Sequence, residues 1–321
     1  MWTEQTPAGE TRRTFVKKLA LAGGALAAGC APAPRSAVGG AAGVVRADRI
    51  GVQLYTVRDQ MEKGFVSTLE QVARIGYKEV EFAGYFNQSA EEVRALLNRL
   101  GLTSPSVHVG LADLRKDLPG VIRSAKVVGQ EFITVPALDE AFSGATLDLA
   151  FWQRTAAELS RIGATVKAEG LRLAYHNHNF EFDRLENGQT GWDVLIAQTD
   201  PALLVFELDL LWATFAGVDP VQLFQRNPGR YPLWHVKDIR RLRETMASVP
   251  ANHTTMQAIT AAAAQLTAVG TGDIDFARIF AQARTAGLEH YFVENDSAAA
   301  NGASSLTDIE TSYRNLSRLL G

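Results

Sequence analysis

The chain has 321 residues, of which 46% are hydrophobic, and a formal net charge of −3 at pH 7, so it can bury one large core. Its one cysteine, Cys30, excludes an intramolecular disulfide framework and any cysteine-rich zinc or iron–sulfur site. No basic block is long enough to form a nucleic-acid footprint, and metal chemistry in this chain has to use His, Asp and Glu.

At the N-terminus, TRRTFVKKLALAGGALAAGC (residues 11–30) places Arg12 and Arg13 ahead of a small-residue apolar run from Leu19 to Ala28. This resembles a twin-arginine export signal, and the run is too short to stay in a bilayer as a spanning anchor. The expectation is a signal peptide over 1–29, an Ala/Pro/Gly-rich flexible tether over 30–48 and a catalytic domain over 49–321. Delivery would be to the periplasm. Cys30 stands where a lipoprotein signal is cut and the new terminal cysteine acylated, which would add a lipid anchor.

From Ile50 onward, β-rich runs alternate with amphipathic helical stretches. The candidate strands are 50–55, 77–82, 103–109 and 131–136, then 171–176, 203–209, 231–237 and 290–295. Between the first two, GFVSTLEQVARIG puts Phe65, Leu69, Val72 and Ala73 on one helical face. Several such stretches end in Gly, the residue favoured just past a helix C-terminus. Eight βα units in unbroken alternation predict a single closed (β/α)8 barrel, an α/β fold. No G-x-G-x-x-G opens the first helix, which weakens a dinucleotide-binding sheet. The seventh connection, residues 239–272, is over-long and carries an Ala-rich helical piece, as expected of a loop that roofs a barrel mouth.

Barrel chemistry sits at the C-terminal ends of strands, and the polar residues collect there. Glu81 ends strand two, His108 strand three, and His176 and His178 strand five. Glu207 and Asp209 end strand six, His235 and Lys237 strand seven, and Glu294 strand eight. His176 and His178, two apart, share one side of an extended chain. A lone strand-end His is usually structural, but four of the six histidines fall at these ends, which predicts a metal site. Neighbouring strands five to eight each offer one ligand: His176, Asp209, His235 and Glu294. That mixed set suits one divalent ion such as Mn, Co, Zn, Fe or Mg rather than calcium. His178, Glu207 and Lys237 share parity with a ligand and can also point inward. The blander expectations are that Glu207 pairs with Lys237 or Arg172, and that His178 bonds a loop carbonyl.

GVQLYTVRD, GYKEVEFAGY, YHNHNFEF, FELDLLWATFAGVDP and PLWHVKD, followed by VGTGDIDF and HYFVEND, resemble the sugar phosphate isomerase/epimerase family, the xylose isomerase-like TIM barrels. The resemblance runs from residue 50 to about 320, in the family's order. It implies a metal-dependent sugar isomerase or epimerase with Asp209, His235 and Glu294 as ligands. His176 stands where the ketose 3-epimerase branch carries Glu. Glu181 matches a carboxylate that lies near substrate in relatives, and Trp212 replaces a substrate-binding His of many relatives. Tyr55, Glu81 and His108 are implied to meet the substrate. Glu294, His178, Lys237 and Glu181 are the acid–base candidates.

In the epimerases two metal-bound carboxylates work on opposite sugar faces; here only Glu294 remains of that pair. No Arg/Lys cluster or Gly-rich phosphate cradle is evident, so the expected partner is a non-phosphorylated keto-sugar or keto-glycoside reacting through an enediolate. Returning the proton gives epimerisation or isomerisation, and expelling a β-substituent makes the enzyme a lyase or dehydratase. Two other classes share the barrel: metal-dependent endonucleases on abasic DNA, which an exported acidic chain disfavours, and a non-catalytic exported sugar-binding protein.

Overall fold

The computed structural model describes residues 45, 47–250, 253–298 and 304–321. The expected signal peptide, nearly all of the tether and Cys30 lie outside the described residues. Among the described residues no helix is long and apolar enough to cross a membrane.

Eight parallel strands close into a barrel. They are β1 (Gly51–Gln53), β2 (Glu79–Ala83), β3 (Thr103–His108), β4 (Phe132–Val135), β5 (Arg172–His176), β6 (Val205–Asp209), β7 (Leu233–Val236) and the last strand, β10 (His290–Val293). β10 pairs with β7 on one side and β1 on the other, which completes the ring. Each predicted stretch contains its strand, with only Ala83 falling beyond. Two short strands, β8 (Asp238–Ile239) and β9 (Leu266–Thr267), pair antiparallel at the root of the roof loop.

Local chemistry sets the helices between them. Ser89 and Glu92 form a reciprocal cap at the start of Ala90–Leu100, and Gly101 ends that helix in the left-handed region at φ 65°. The helix Phe65–Ile75 buries Leu69 and Val72, as its pattern predicts. The helix Leu111–Val128 is broken at Asp117 (φ −152°, ψ 64°), two residues before Pro119.

Inside the barrel the side chains are layered. Phe132, Ala174, Val205, Leu233 and Phe292 form a buried apolar cluster of their own. One pleat step along the same strands, two residues on, stand Thr134, His176, Glu207, His235 and Glu294. A second step reaches Asp209, Lys237 and Asp296. The interior thus passes from hydrocarbon to imidazole and carboxylate within one residue pair.

The roof contributes helices Leu242–Ser248 and Thr255–Ala263. Its root is pinned by the Asp238 carboxylate, which accepts the backbone N–H groups of Ile239, Gly270 and Gly272 at 2.9 Å and of Ile274 at 3.3 Å. A Cβ on Gly272 would lie 2.3 Å from Asp238 Oδ1 and 2.4 Å from the Ile239 carbonyl, which accounts for the glycine in VGTGDIDF. Gly272→Ala should therefore cost about 1–3 kcal/mol through overpacking. Thermal unfolding should show a midpoint lowered by roughly 2–10 °C; an unchanged midpoint would contradict the close contact.

Candidate metal centre

The four ligands expected from strands five to eight converge. One ligand atom each from His176, Asp209, His235 and Glu294 lies within 4.8 Å of the other three, and all four residues are buried. Hydrogen bonding sets the tautomers. His176 Nδ1 lies 3.2 Å from Glu207 Oε2, which leaves the Nε2 lone pair facing Asp209 Oδ2 at 3.8 Å. His235 Nε2 lies 2.7 Å from Glu81 Oε2 and 3.2 Å from Glu207 Oε2, which leaves Nδ1 facing Glu294 Oε2 at 2.6 Å. A nitrogen lone pair and a carboxylate oxygen at that distance need a cation, proton or metal, between them. Asp209 Oδ1 caps the Trp212 N–H, but Oδ2 has no hydrogen-bond partner. Lys237 Nζ is 3.1 Å from it, outside hydrogen-bond alignment. This donor set fits a divalent ion, with each histidine's other nitrogen on a carboxylate as metal-binding imidazoles require.

Beneath the ligands is a closed floor. Glu207 Oε2 meets His108 Nε2 at 2.7 Å, and Glu81 Oε2 meets it at 3.2 Å while accepting the Gln53 amide at 2.8 Å. Burial opposes charge on His108, yet Glu81 and Glu207 outweigh it and push its pKa up to about 10. Glu207 is held at about 2: burial and Glu81 raise it, and His235 and His108 more than offset them. The grouping His108, His176, Glu207 and His235 is also compact enough for an ion, but each of its histidines already has a ring nitrogen on Glu207 Oε2.

A cavity of about 990 Å³ opens above the ligands. Tyr55, His108, His176, His178, Trp212, Lys237 and Glu294 line it, so these expected site residues meet in one space. The His178 ring stacks between Phe180 and Trp212 (centroids 5.9 and 5.7 Å), and its Nδ1 has no partner. Burial, then the Lys237 charge, lowers its pKa to about 3, so it is a neutral imidazole. Lys237 Nζ lies 2.9 Å from Glu294 and 2.8 Å from Asp296. Asp296 lines the cavity too, and sequence reasoning missed it, although its parity with Glu294 was the available signal.

Several expectations are corrected. Glu81 does not meet the cavity; fully buried, it belongs to the floor. Glu181 does not face substrate either. The 3-10 turn Phe180–Phe182 folds it back under the β5 exit, where it accepts the Tyr175 hydroxyl and the His178 N–H, both at 2.8 Å. Glu181 therefore braces His178. Glu207 pairs with neither Lys237 nor Arg172; the latter pairs with Glu289 at 2.8 Å. His178 Nδ1 bonds no loop carbonyl. Asn177, between the two histidines, accepts the Asp209 N–H at 2.9 Å and stitches the β5 exit to β6.

A family model described as xylose isomerase-like TIM barrel matches residues 69–314, and the chain belongs to that family. The inosose dehydratase of Clostridium perfringens is 29% identical over 154 residues, covering 47% of this chain and 50% of that enzyme. The chain thus matches about half the length of its curated relatives. Among solved structures, a sugar phosphate isomerase/epimerase from Parabacteroides distasonis superposes with a TM-score of 0.67 at 21% identity, covering 88% of this chain and 98% of that one. The IolI protein with a bound zinc atom gives 0.63 at 10% identity, covering 85% and 98%. These likenesses show the shared barrel.

Two tests follow from this geometry. The protein should hold one divalent ion per chain by elemental analysis. Asp209→Ala and His235→Ala should lose it, and Glu207→Gln should keep it with affinity weakened about 10–100-fold, because the histidines lose their orienting partner. Undiminished affinity in Glu207→Gln would refute the floor's role. The second test concerns Glu181, whose pKa burial raises to about 8 from an ordinary value of 4.5, despite its hydrogen bonds. Between these values the unfolded chain releases the proton and the folded chain keeps it. Stability contributed by this group therefore falls as pH rises from about 4.5 to about 8. Glu181→Gln should flatten that slope in denaturant titrations; an unchanged slope would assign the pH dependence elsewhere.

Proposed function

We propose that this member of the xylose isomerase-like TIM-barrel family is a divalent-metal-dependent enzyme that removes the proton beside the ketone of a non-phosphorylated keto-sugar or keto-glycoside and expels the β-substituent. The observation that carries the reading is the convergence of four ligand atoms beside the neutral His178 and the fixed Lys237 ammonium. The zinc atom of the IolI protein and the inosose dehydratase likeness support it. The chemistry such an ion supplies is polarisation of a ketone and stabilisation of negative charge developing on its oxygen.

The chain's own residues divide the remaining work. In a 3-keto-glycoside, Glu294 is the first candidate to take the C2 proton, with His178 beside it as the second. The C–H electron pair passes into the enediolate. On collapse a C1–C2 double bond forms, the C1–O bond breaks, and the departing oxygen takes a proton from Lys237. Trp212, buried, and Tyr55, at the rim, wall the cavity. The basic lining residues are Lys116 and Lys237 besides the histidines, and Lys237 is neutralised by Asp209, Glu294 and Asp296. That supports a substrate without phosphate. A second reading, proton return to give an epimer or isomer, is favoured by Asp296, a further carboxylate in the same cavity.

The metal-loaded enzyme, given a 3-keto-glycoside in D₂O, should release the aglycone and place deuterium beside the ketone in recovered substrate. Glu294→Gln should abolish both, with metal content measured in parallel. A product that retains its substituent with one stereocentre inverted would select the second reading. Full activity of metal-free protein would overturn both.

A further inference from the structure

The cavity is larger than the chemistry requires. At about 990 Å³ it reaches the top of the range that encloses a drug-sized ligand, whereas its metal-ligating and acid–base groups stand at one end. Among the described residues six large hydrophobic side chains are exposed, and three of them line this cavity: Tyr55 (42%), Phe142 (37%) and Met256 (48%). They come from the turn after β1, the short helix Asp139–Phe142 after β4, and the roof helix Thr255–Ala263. Scattered exposed hydrophobic residues are ordinary, but three converging on one mouth mark a binding surface.

We propose that the outer half of the cavity is a subsite for a flat apolar ring, so that the substrate is a glycoside with an aromatic aglycone. The inference rests on the keto-glycoside reading above and names the part of the substrate that reading leaves open. Tyr55 is held as a fixed wall: the Arg58 guanidinium lies 4.0 Å from its ring centroid and donates to the carbonyls of Tyr55 and Asp296, each at 2.8 Å. Phe142 packs edge-on to His178 (5.8 Å, 84°), which in turn stacks on Trp212 (5.7 Å). An unbroken aromatic strip thus runs from the reactive end to the rim. Met256 and Ile259 of the roof also line the cavity. A second sugar ring would rest only a puckered C–H face on this surface and would want hydrogen-bond partners for its rim hydroxyls, whereas a flat aromatic ring stacks its whole face there. Continuity with the ligand end favours part of the substrate as occupant over a separate molecule.

The test measures binding without turnover. Isothermal titration of the full-length, metal-loaded protein with phenyl β-glucoside and methyl β-glucoside should give a dissociation constant about tenfold lower for the phenyl compound. In Phe142→Ala and in Met256→Ala the ratio of the two constants should collapse toward one. Equal constants in the unaltered protein, binding of neither compound, or a ratio that survives both substitutions would overturn the subsite. Equal constants are also what occupation of the rim by the chain's own upstream residues, or by a second copy, would produce. Phenyl preference without any deuterium exchange would instead keep the subsite and remove the proposed chemistry.

Discussion

One carboxylate oxygen, Glu207 Oε2, meets ring nitrogens of three histidines at 2.7 to 3.2 Å, and the site above depends on it. Each contact fixes a proton on the lower side of a ring. For His176 and His235 that leaves a lone pair on the upper side, toward Asp209 and Glu294. Either imidazole unpinned could rotate or change tautomer, and the four ligand atoms would no longer share one centre. The arrangement is costly in isolation, since Glu81 and Glu207 are both fully buried and repel each other. Protonated His108 between them makes it tenable. Removing one partner of such a buried pair costs about 3–5 kcal/mol.

Barrel closure makes that cluster possible. In an open sheet the edge strands would admit water beside Glu81 and Glu207, and their hold on the imidazoles would weaken as the dielectric rose. Here the ring of strands excludes water laterally, and Phe132, Ala174, Val205, Leu233 and Phe292 seal the interior below. Above them the polar groups face the cavity. The same two-residue pleat that seats the apolar plug places Glu207 with His176, His235 and Glu294 at the next step and Asp209, Lys237 and Asp296 at the one after, so packing and chemistry are successive steps of one period.

That period is also why so much was legible in the sequence. Alternation of strands with helical stretches gave the barrel, and parity along strands five to eight brought His176, Asp209, His235 and Glu294 together. What parity cannot express is depth. Glu207 and Asp209 share a side, as do His235 and Lys237, and the stagger between tilted strands decides which belongs to the floor and which to the mouth. Glu81 was misplaced for that reason. Glu181 was misplaced because a turn after β5, not a strand, sets its direction. Phe142 and Met256 carried no local signal, since their meaning comes from three remote segments converging on one rim.

The resemblance implies a glutamate where this chain has His176, and the difference has an electrostatic consequence in this pocket. A glutamate at position 176 would add a negative charge directly to the ligand set, and imidazole adds none. Asp296 supplies a carboxylate nearby that reaches Lys237 rather than the ligand centre. Asp209, Glu294 and Asp296 surround the single Lys237 ammonium, and this excess of carboxylates over cations favours a divalent ion beside them. An ion held by this set would be a stronger Lewis acid than one with a further carboxylate ligand, and Asp296 lies 2.8 Å from the Lys237 ammonium. Acidity thus stands on the pocket wall as well as among the candidate ligands, which would suit the proposed reaction, in which a ketone is polarised and a leaving oxygen protonated in the same space.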